Sequence, residues 1–180
     1  MNSTDLTEML GNLSRSLFPV QSLLAGFAYL LGLIFFITAI QKFHAIGSAS
    51  AQSPSQEKIF TPIAYIIAGA MLLFLPTAID ALSNTAFGVS NILQYTPYNP
   101  YNVQSAMEVV IRTAGLIWFI RGCVLIAHAS NPGVKDGPKG LAFLCAGVLA
   151  INFENTIQVL NWIMGQTATL TMTIKQNQGY

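Results

Sequence analysis

An apolar hairpin pattern that occurs twice constrains this chain more than any other feature. Residues 32–37 (GLIFFI) return as residues 115–120 (GLIWFI), with five of six positions identical and an offset of 83. The Ala-Gly pair that begins at Ala68 returns at Ala146, with an offset of 78. The two offsets differ by five residues because the loop inside the second hairpin is five residues shorter than the loop inside the first. Because the glycines match as well as the apolar residues, we interpret the pattern as a tandem duplication rather than a chance likeness of two apolar segments.

The composition indicates a membrane protein. Of the 180 residues, 53% are hydrophobic and only 8% are charged, whereas soluble domains average about 25% charged residues. The net charge of +1 argues against the basic surface that direct nucleic-acid binding requires. Cys123 and Cys145 both lie in apolar segments, which favours small buried side chains over a disulfide.

Four apolar segments are long enough to be membrane spans. The hydrocarbon core of a bilayer is about 30 Å thick and requires about 20 helical residues. The first segment contains no charge and the second contains only Asp80, near its end. The last two segments contain charges within the span, and the repeat supports them. The predicted spans are 23–40, 60–82, 109–129 and 140–164. The sequence therefore predicts an all-α membrane protein with four transmembrane helices, arranged as a tandem repeat of two helical hairpins.

The N-terminal stretch has the spacing of an amphipathic interfacial helix. Leu6, Met9, Leu13 and Leu17 share one face, while Asp5 and other polar residues lie elsewhere. The predicted organisation is an interfacial helix (1–17), a first transmembrane hairpin (18–82), a Tyr/Pro/Asn-rich connecting loop (83–107), a second hairpin (108–165) and a polar C-terminal tail (166–180).

Charged residues inside the second hairpin are the candidate functional residues. A charge within a span costs about 2.5–3.5 kcal/mol on insertion scales, so Arg112, Arg121 and Glu154 require an explanation. At about 1.5 Å per residue, Glu154 lies about 21 Å and Arg112 about 25 Å from the hairpin loop. We therefore predict a contact between Glu154 and Arg112, in which Glu108 also takes part.

Arg121 has no evident partner in its own hairpin and leaves several alternatives open. Snorkelling towards the headgroups or internal pairing is the simpler explanation, and a pore-lining role or pairing with Glu154 of a neighbouring copy is the functional one. The equivalents of Arg121 and Glu154 in the first hairpin are Thr38 and Pro76, so both charges are specific to the second copy. Pro76 is itself expected to kink the second span.

The connecting loop and the basic residues bear on partners and orientation. Tyr95, Tyr98 and Tyr101 alternate with prolines and asparagines, which cannot continue a helix. They fit an interfacial aromatic belt, a docking surface for a partner, or both. Basic residues are slightly more numerous beside the hairpin loops than on the opposite side, which predicts cytoplasmic loops and periplasmic termini.

The sequence contains no recognisable catalytic motif. It has no Ser/His/Asp arrangement, no paired carboxylates and no glycine-rich phosphate loop. His44 and His128 each follow the first span of a hairpin, without the spacing of metal ligands. We therefore expect no enzymatic activity, no cofactor and no metal site.

The residues resemble one family of secretion proteins. The opening residues 1–5 (MNSTD), the short amphipathic stretch, the duplicated hairpin and the Tyr/Pro/Asn loop look like the small inner-membrane IcmC/DotE proteins. These belong to type IVB (Dot/Icm) secretion systems, with relatives in conjugation systems of IncI-type plasmids. The resemblance covers essentially the whole chain and implies a structural subunit that helps to build the channel or its membrane platform. It also implies contacts with itself and with other membrane subunits, but it carries over no site residues.

A second class of function is compatible with the same pattern. Duplicated hairpins also build small transporters and ion channels, in which Arg121 and Glu154 would bind an ion or a proton. A transporter requires a polar pathway within one chain or a small symmetric oligomer. A secretion subunit should instead co-purify with a large envelope complex.

Overall fold

The computed structural model describes residues 3–49, 59–88 and 102–177, which form six α-helices and no strand. The helices are α1 (Ser3–Ala49), α2 (Phe60–Leu73), α3 (Leu75–Phe87), α4 (Val103–Ala129), α5 (Gly137–Ile151) and α6 (Phe153–Asn177). The prediction of an all-helical chain is confirmed for these residues. Helices α1 and α4 are each long and apolar enough to cross a bilayer, and the count rises to four if each bent pair is one span. These helices indicate a membrane protein.

The second helix of each predicted hairpin is sharply bent. Helices α2 and α3 meet at 101°, and α5 and α6 meet at 97°. Phe74, at the first bend, has φ −106° and ψ 45°, and Asn152, at the second, has φ −103° and ψ 49°. The two bends lie 78 residues apart, which is the offset of the repeated Ala-Gly pair. Neither predicted span, 60–82 or 140–164, is one continuous helix. Only the first of these two breaks was expected from the sequence, at Pro76.

Pro76 explains the first bend. Proline has no amide hydrogen, so it cannot donate to the Leu72 carbonyl one turn earlier, and its ring disrupts a helix interior. The chain turns at Phe74 instead, and Pro76 falls in the first turn of α3, where the missing hydrogen costs little. The expected kink is therefore found beside this proline.

No proline marks the second bend. The Asn152 side-chain amide donates to the Val148 carbonyl at 2.9 Å, and the Thr156 hydroxyl donates across the bend to the Leu149 carbonyl at 2.8 Å. Side chains that bond backbone carbonyls in this way offer the backbone an alternative to a continuous helix. Two different local chemistries therefore produce the same backbone turn.

Glycines bring the two helices of each hairpin into close contact. A Cβ atom built on Gly32 would lie 2.9 Å from the Gly69 carbonyl oxygen, and one on Gly115 would lie 3.0 Å from that of Gly147. Small residues of this kind allow membrane helices to approach closely, where apolar burial supplies little driving force. The glycines that repeat in the sequence therefore pack against each other within one chain. Gly26, by contrast, has no atom within 4 Å of such a Cβ.

Polar contacts join the two hairpins at one end of the bundle. The Thr61 hydroxyl at the start of α2 donates to the Ser130 carbonyl at the end of α4, at 2.8 Å. The Asn131 amide donates to the Tyr65 hydroxyl at 3.1 Å. The start of α2 and the end of α4 are therefore neighbours, so both hairpin connections leave from the same end. The core between the helices is apolar and contains Ala28, Ala68, Leu72, Phe119, Cys123 and Val148.

The N-terminal prediction requires a correction. Helix α1 continues through Pro19 without a break, so the predicted interfacial helix (1–17) and the first span belong to one helix of 47 residues. Met9 and Leu13, on the predicted apolar face, are 64% and 47% exposed, whereas Ser14 is fully buried. The face that packs on the protein is therefore the one with small residues. Leu6 lies outside the described side chains.

Other predicted boundaries also shift. Helix α3 continues to Phe87 and α4 begins at Val103, so both ends of the predicted connecting loop (83–107) are helical. The polar C-terminal segment (166–180), which was expected to extend the last helix before fraying into a tail, is helical as far as Asn177. Cys123 is buried as expected, whereas Cys145 is exposed, and both thiols are free.

Candidate functional site

The Arg112 ion pair is local. Its Nη2 atom lies 2.9 Å from Oε1 of Glu108, one turn earlier on α4. Among the described side chains, no ion pair joins Arg112 to Glu154, so the predicted contact between them is wrong. The reason is the bend at Asn152, because it removes Glu154 from the axis of α5. Glu154 lies instead in the first turn of α6, where the positive end of the helix dipole stabilises a carboxylate.

Arg121 contacts an aromatic ring. Its guanidinium carbon lies 4.7 Å from the ring centroid of Phe143, on the facing helix α5. This geometry is that of a cation–π interaction. The alternatives predicted for Arg121 from the sequence did not include an aromatic ring. A search for aromatic residues at matching depth on the second helix would have found Phe143.

The Arg121–Phe143 contact leads to a measurable expectation. We expect Arg121→Leu and Phe143→Leu each to change the free energy of unfolding by about 1 kcal/mol or less, with a coupling between them of about 0.5–1 kcal/mol. The measurement is a double-mutant cycle in mixed detergent micelles, with unfolding followed by circular dichroism. Additive effects of the two substitutions would contradict the contact.

A buried polar pair connects the two halves of the molecule. The side-chain amide of Asn152, at the second bend, donates to the Ser83 hydroxyl of α3. Asn152 is 6% exposed and Ser83 is fully buried. Sequence reasoning missed both residues, although an asparagine within the predicted span 140–164 was an available signal. The pair ties the bend of the second hairpin to the helix that follows the bend of the first.

A further polar contact between the hairpins involves α1. Nε2 of Gln21 donates to the Thr113 hydroxyl of α4 at 2.8 Å. Near the hairpin connection, Nδ1 of His128 lies 3.5 Å from a carboxylate oxygen of Asp136, and both side chains are substantially exposed. Within the described residues, no group of three or more His, Cys, Asp or Glu side chains is placed to bind a metal ion. Tyr95, Tyr98 and Tyr101 lie outside the described residues.

Comparison with known protein families, with curated proteins and with solved structures finds no match to this chain.

Proposed function

We propose that this protein is a structural inner-membrane subunit of a bacterial type IVB secretion or conjugation apparatus, where it contributes to the translocation channel or its membrane platform. The resemblance to IcmC/DotE proteins supports this assignment. The observation that carries it is the use of the buried and half-buried polar side chains. Asn152 and Gln21 each bond a side chain of another helix, and Thr61 bonds the residue that follows the end of α4. Polar groups in these contacts hold helices together, as a scaffold requires.

The proposal includes a topology of four membrane crossings in two tandem hairpins. It is supported by the two bends at the repeat offset and by the matching glycine contacts of the two hairpins. The hairpin connections leave from one end of the bundle, which we assign to the cytoplasm, and both termini are assigned to the periplasm. The partners are the lipid bilayer, further copies of the chain and other membrane subunits. The connecting loop with its three tyrosines is the proposed docking surface.

A transporter or channel has less support. That function requires Arg121 and Glu154 to face one polar pathway. Arg121 lies over the Phe143 ring, and Glu154 begins a helix that leaves the bundle at 97°. No described contact joins the two charges.

Purification of the tagged chain in mild detergent, with mass spectrometry of the associated proteins, tests the proposed function. We expect the chain to co-purify with larger membrane subunits of an envelope complex. Deletion of the gene should abolish substrate transfer and leave membrane potential and solute uptake unchanged. Isolation of the chain as a monomer, or a loss of solute uptake on deletion, would contradict the proposal.

A further inference from the structure

The bend at Asn152 determines the depth at which α6 leaves the bundle. Helix α5 packs along α4 through close contacts of Gly115, Gly122 and Gly140, so it runs beside a helix that is long and apolar enough to cross the bilayer. The 15 residues of α5 span about 22 Å, and the hydrocarbon core is about 30 Å thick. When the connection between α4 and α5 lies at one interface, α5 ends about 8 Å short of the other. Interfacial amphipathic helices lie about 5–10 Å into the headgroup and acyl boundary.

The direction and side chains of α6 suit this depth. Helix α6 leaves α5 at 97° and therefore runs nearly parallel to the membrane plane. At 3.6 residues per turn, the apolar side chains between residues 157 and 164, apart from Trp162, fall in an arc of about 160°, and amides and a carboxylate occupy most of the opposite side. The apolar arc contains Ile157, Val159, Leu160, Ile163 and Met164. The opposite side contains Glu154, Asn155, Gln158, Asn161 and Gln166.

Helix α3 shows what happens when protein covers such a face. After an equivalent bend, α3 buries its apolar side chains Leu75 and Ile79 in the core. The apolar arc of α6 has no such cover, since Leu160 and Met164 are 53% and 67% exposed. Leu149, near the end of α5, is also exposed, and the exposed apolar side chains of α5 face lipid when α5 crosses the bilayer.

We propose that residues 153–166 of α6 form an interfacial membrane helix, whose apolar arc inserts into the acyl chains of the leaflet opposite the hairpin connections. Its polar side faces the headgroups. Trp162, on that side and exposed, is placed at headgroup level, where tryptophan is enriched in membrane proteins. The occupant of this surface is lipid. The inference requires only that the chain is a membrane protein, so it does not depend on the proposed secretion role.

Site-directed spin labelling tests this placement. Each position from 155 to 166 is replaced in turn by cysteine in a Cys145→Ser background, which removes the exposed native thiol. The remaining native thiol, Cys123, is buried, and a control must first show that the background protein does not react with the spin label. The proteins are reconstituted into vesicles of phosphatidylethanolamine and phosphatidylglycerol. We expect the ratio of oxygen to nickel-chelate accessibility to oscillate with the helical period, severalfold higher for Leu160→Cys and Ile163→Cys than for Gln158→Cys. Ile117→Cys on α4 is the matched lipid-facing control.

The alternative arrangements give different profiles, each of which would overturn the proposal. A straight transmembrane continuation would show a steady change of depth along 155–166 without oscillation. Cover of the apolar arc by a second copy would give low accessibility to both oxygen and the nickel chelate along that arc, together with spin–spin broadening. An arm in water would give high nickel accessibility at every position.

Tryptophan fluorescence provides a second measurement that requires no label. In a Trp118→Phe variant, the emission comes from Trp162 alone, since the chain has two tryptophans. We expect lipids brominated near the headgroup to quench Trp162 more strongly than lipids brominated near the middle of the bilayer. Stronger quenching from the bilayer middle, or equal absence of quenching by both lipids, would show that α6 is not interfacial.

Discussion

Gly122→Ala is expected to lower the free energy of unfolding by about 2 kcal/mol, although it adds one methyl group. A Cβ at this position would lie 2.6 Å from the Leu144 amide nitrogen and 2.8 Å from its Cα. These are backbone atoms of α5 and cannot rotate away, so the two helices must separate. Overpacking costs about 1–3 kcal/mol, and the better helix propensity of alanine offsets about 1 kcal/mol of it. Because the added Cβ meets backbone atoms, the overpacking cost should fall at the upper end of the range of about 1–3 kcal/mol.

The control is the same substitution at a glycine with open space. A Cβ on Gly26 would meet no atom within 4 Å, so Gly26→Ala should leave stability unchanged or raise it slightly. Both variants are compared by unfolding in mixed micelles with increasing sodium dodecyl sulfate. Equal midpoints for the two variants would show that α4 and α5 are not in close contact at Gly122.

Asn152→Leu is expected to cost about 1–3 kcal/mol of stability and to change the direction of α6. The substitution leaves the fully buried Ser83 hydroxyl without its Asn152 partner, and an unsatisfied buried polar group carries a penalty of that size. It also removes the bond from the Asn152 side chain to the Val148 carbonyl, which belongs to the bend. Unfolding in mixed micelles measures the first effect. Electron–electron distance measurements between spin labels on α4 and α6 measure the second.

Two further variants distinguish the loss of the Asn152–Ser83 hydrogen bond from a general effect of apolar substitution. The double variant Ser83→Ala/Asn152→Leu should be more stable than Asn152→Leu alone, because no buried hydroxyl then lacks a partner. Asn161→Leu, at an exposed position on α6, should change stability by about 0.5 kcal/mol or less. If Asn161→Leu lowered the free energy of unfolding as much as Asn152→Leu, the buried Asn152–Ser83 pair would have no particular role in stability.

The contrast between the two bends shows how far sequence reasoning reaches. The first bend was foreseeable, because Pro76 cannot donate a helical hydrogen bond and its effect is local. The second was not, because Asn152 is compatible with a helix, and the bonds found at this bend involve Thr156 and the distant Ser83. The depth estimate for Glu154 assumed a straight helix, and the contact predicted with Arg112 failed with that assumption.

The sequence by itself determined that the chain is helical and suited to a membrane, and it identified the repeated glycines at which helices meet. Each of these properties depends on which residues avoid water and how they are spaced, so it can be read from a linear pattern. Only the tertiary structure decided the direction of α6, the ring partner of Arg121 and the pairing of Asn152 with Ser83. These depend on atoms brought together by packing, and Ser83 and Asn152 are separated by 69 residues. A local pattern contains no information about such a neighbour.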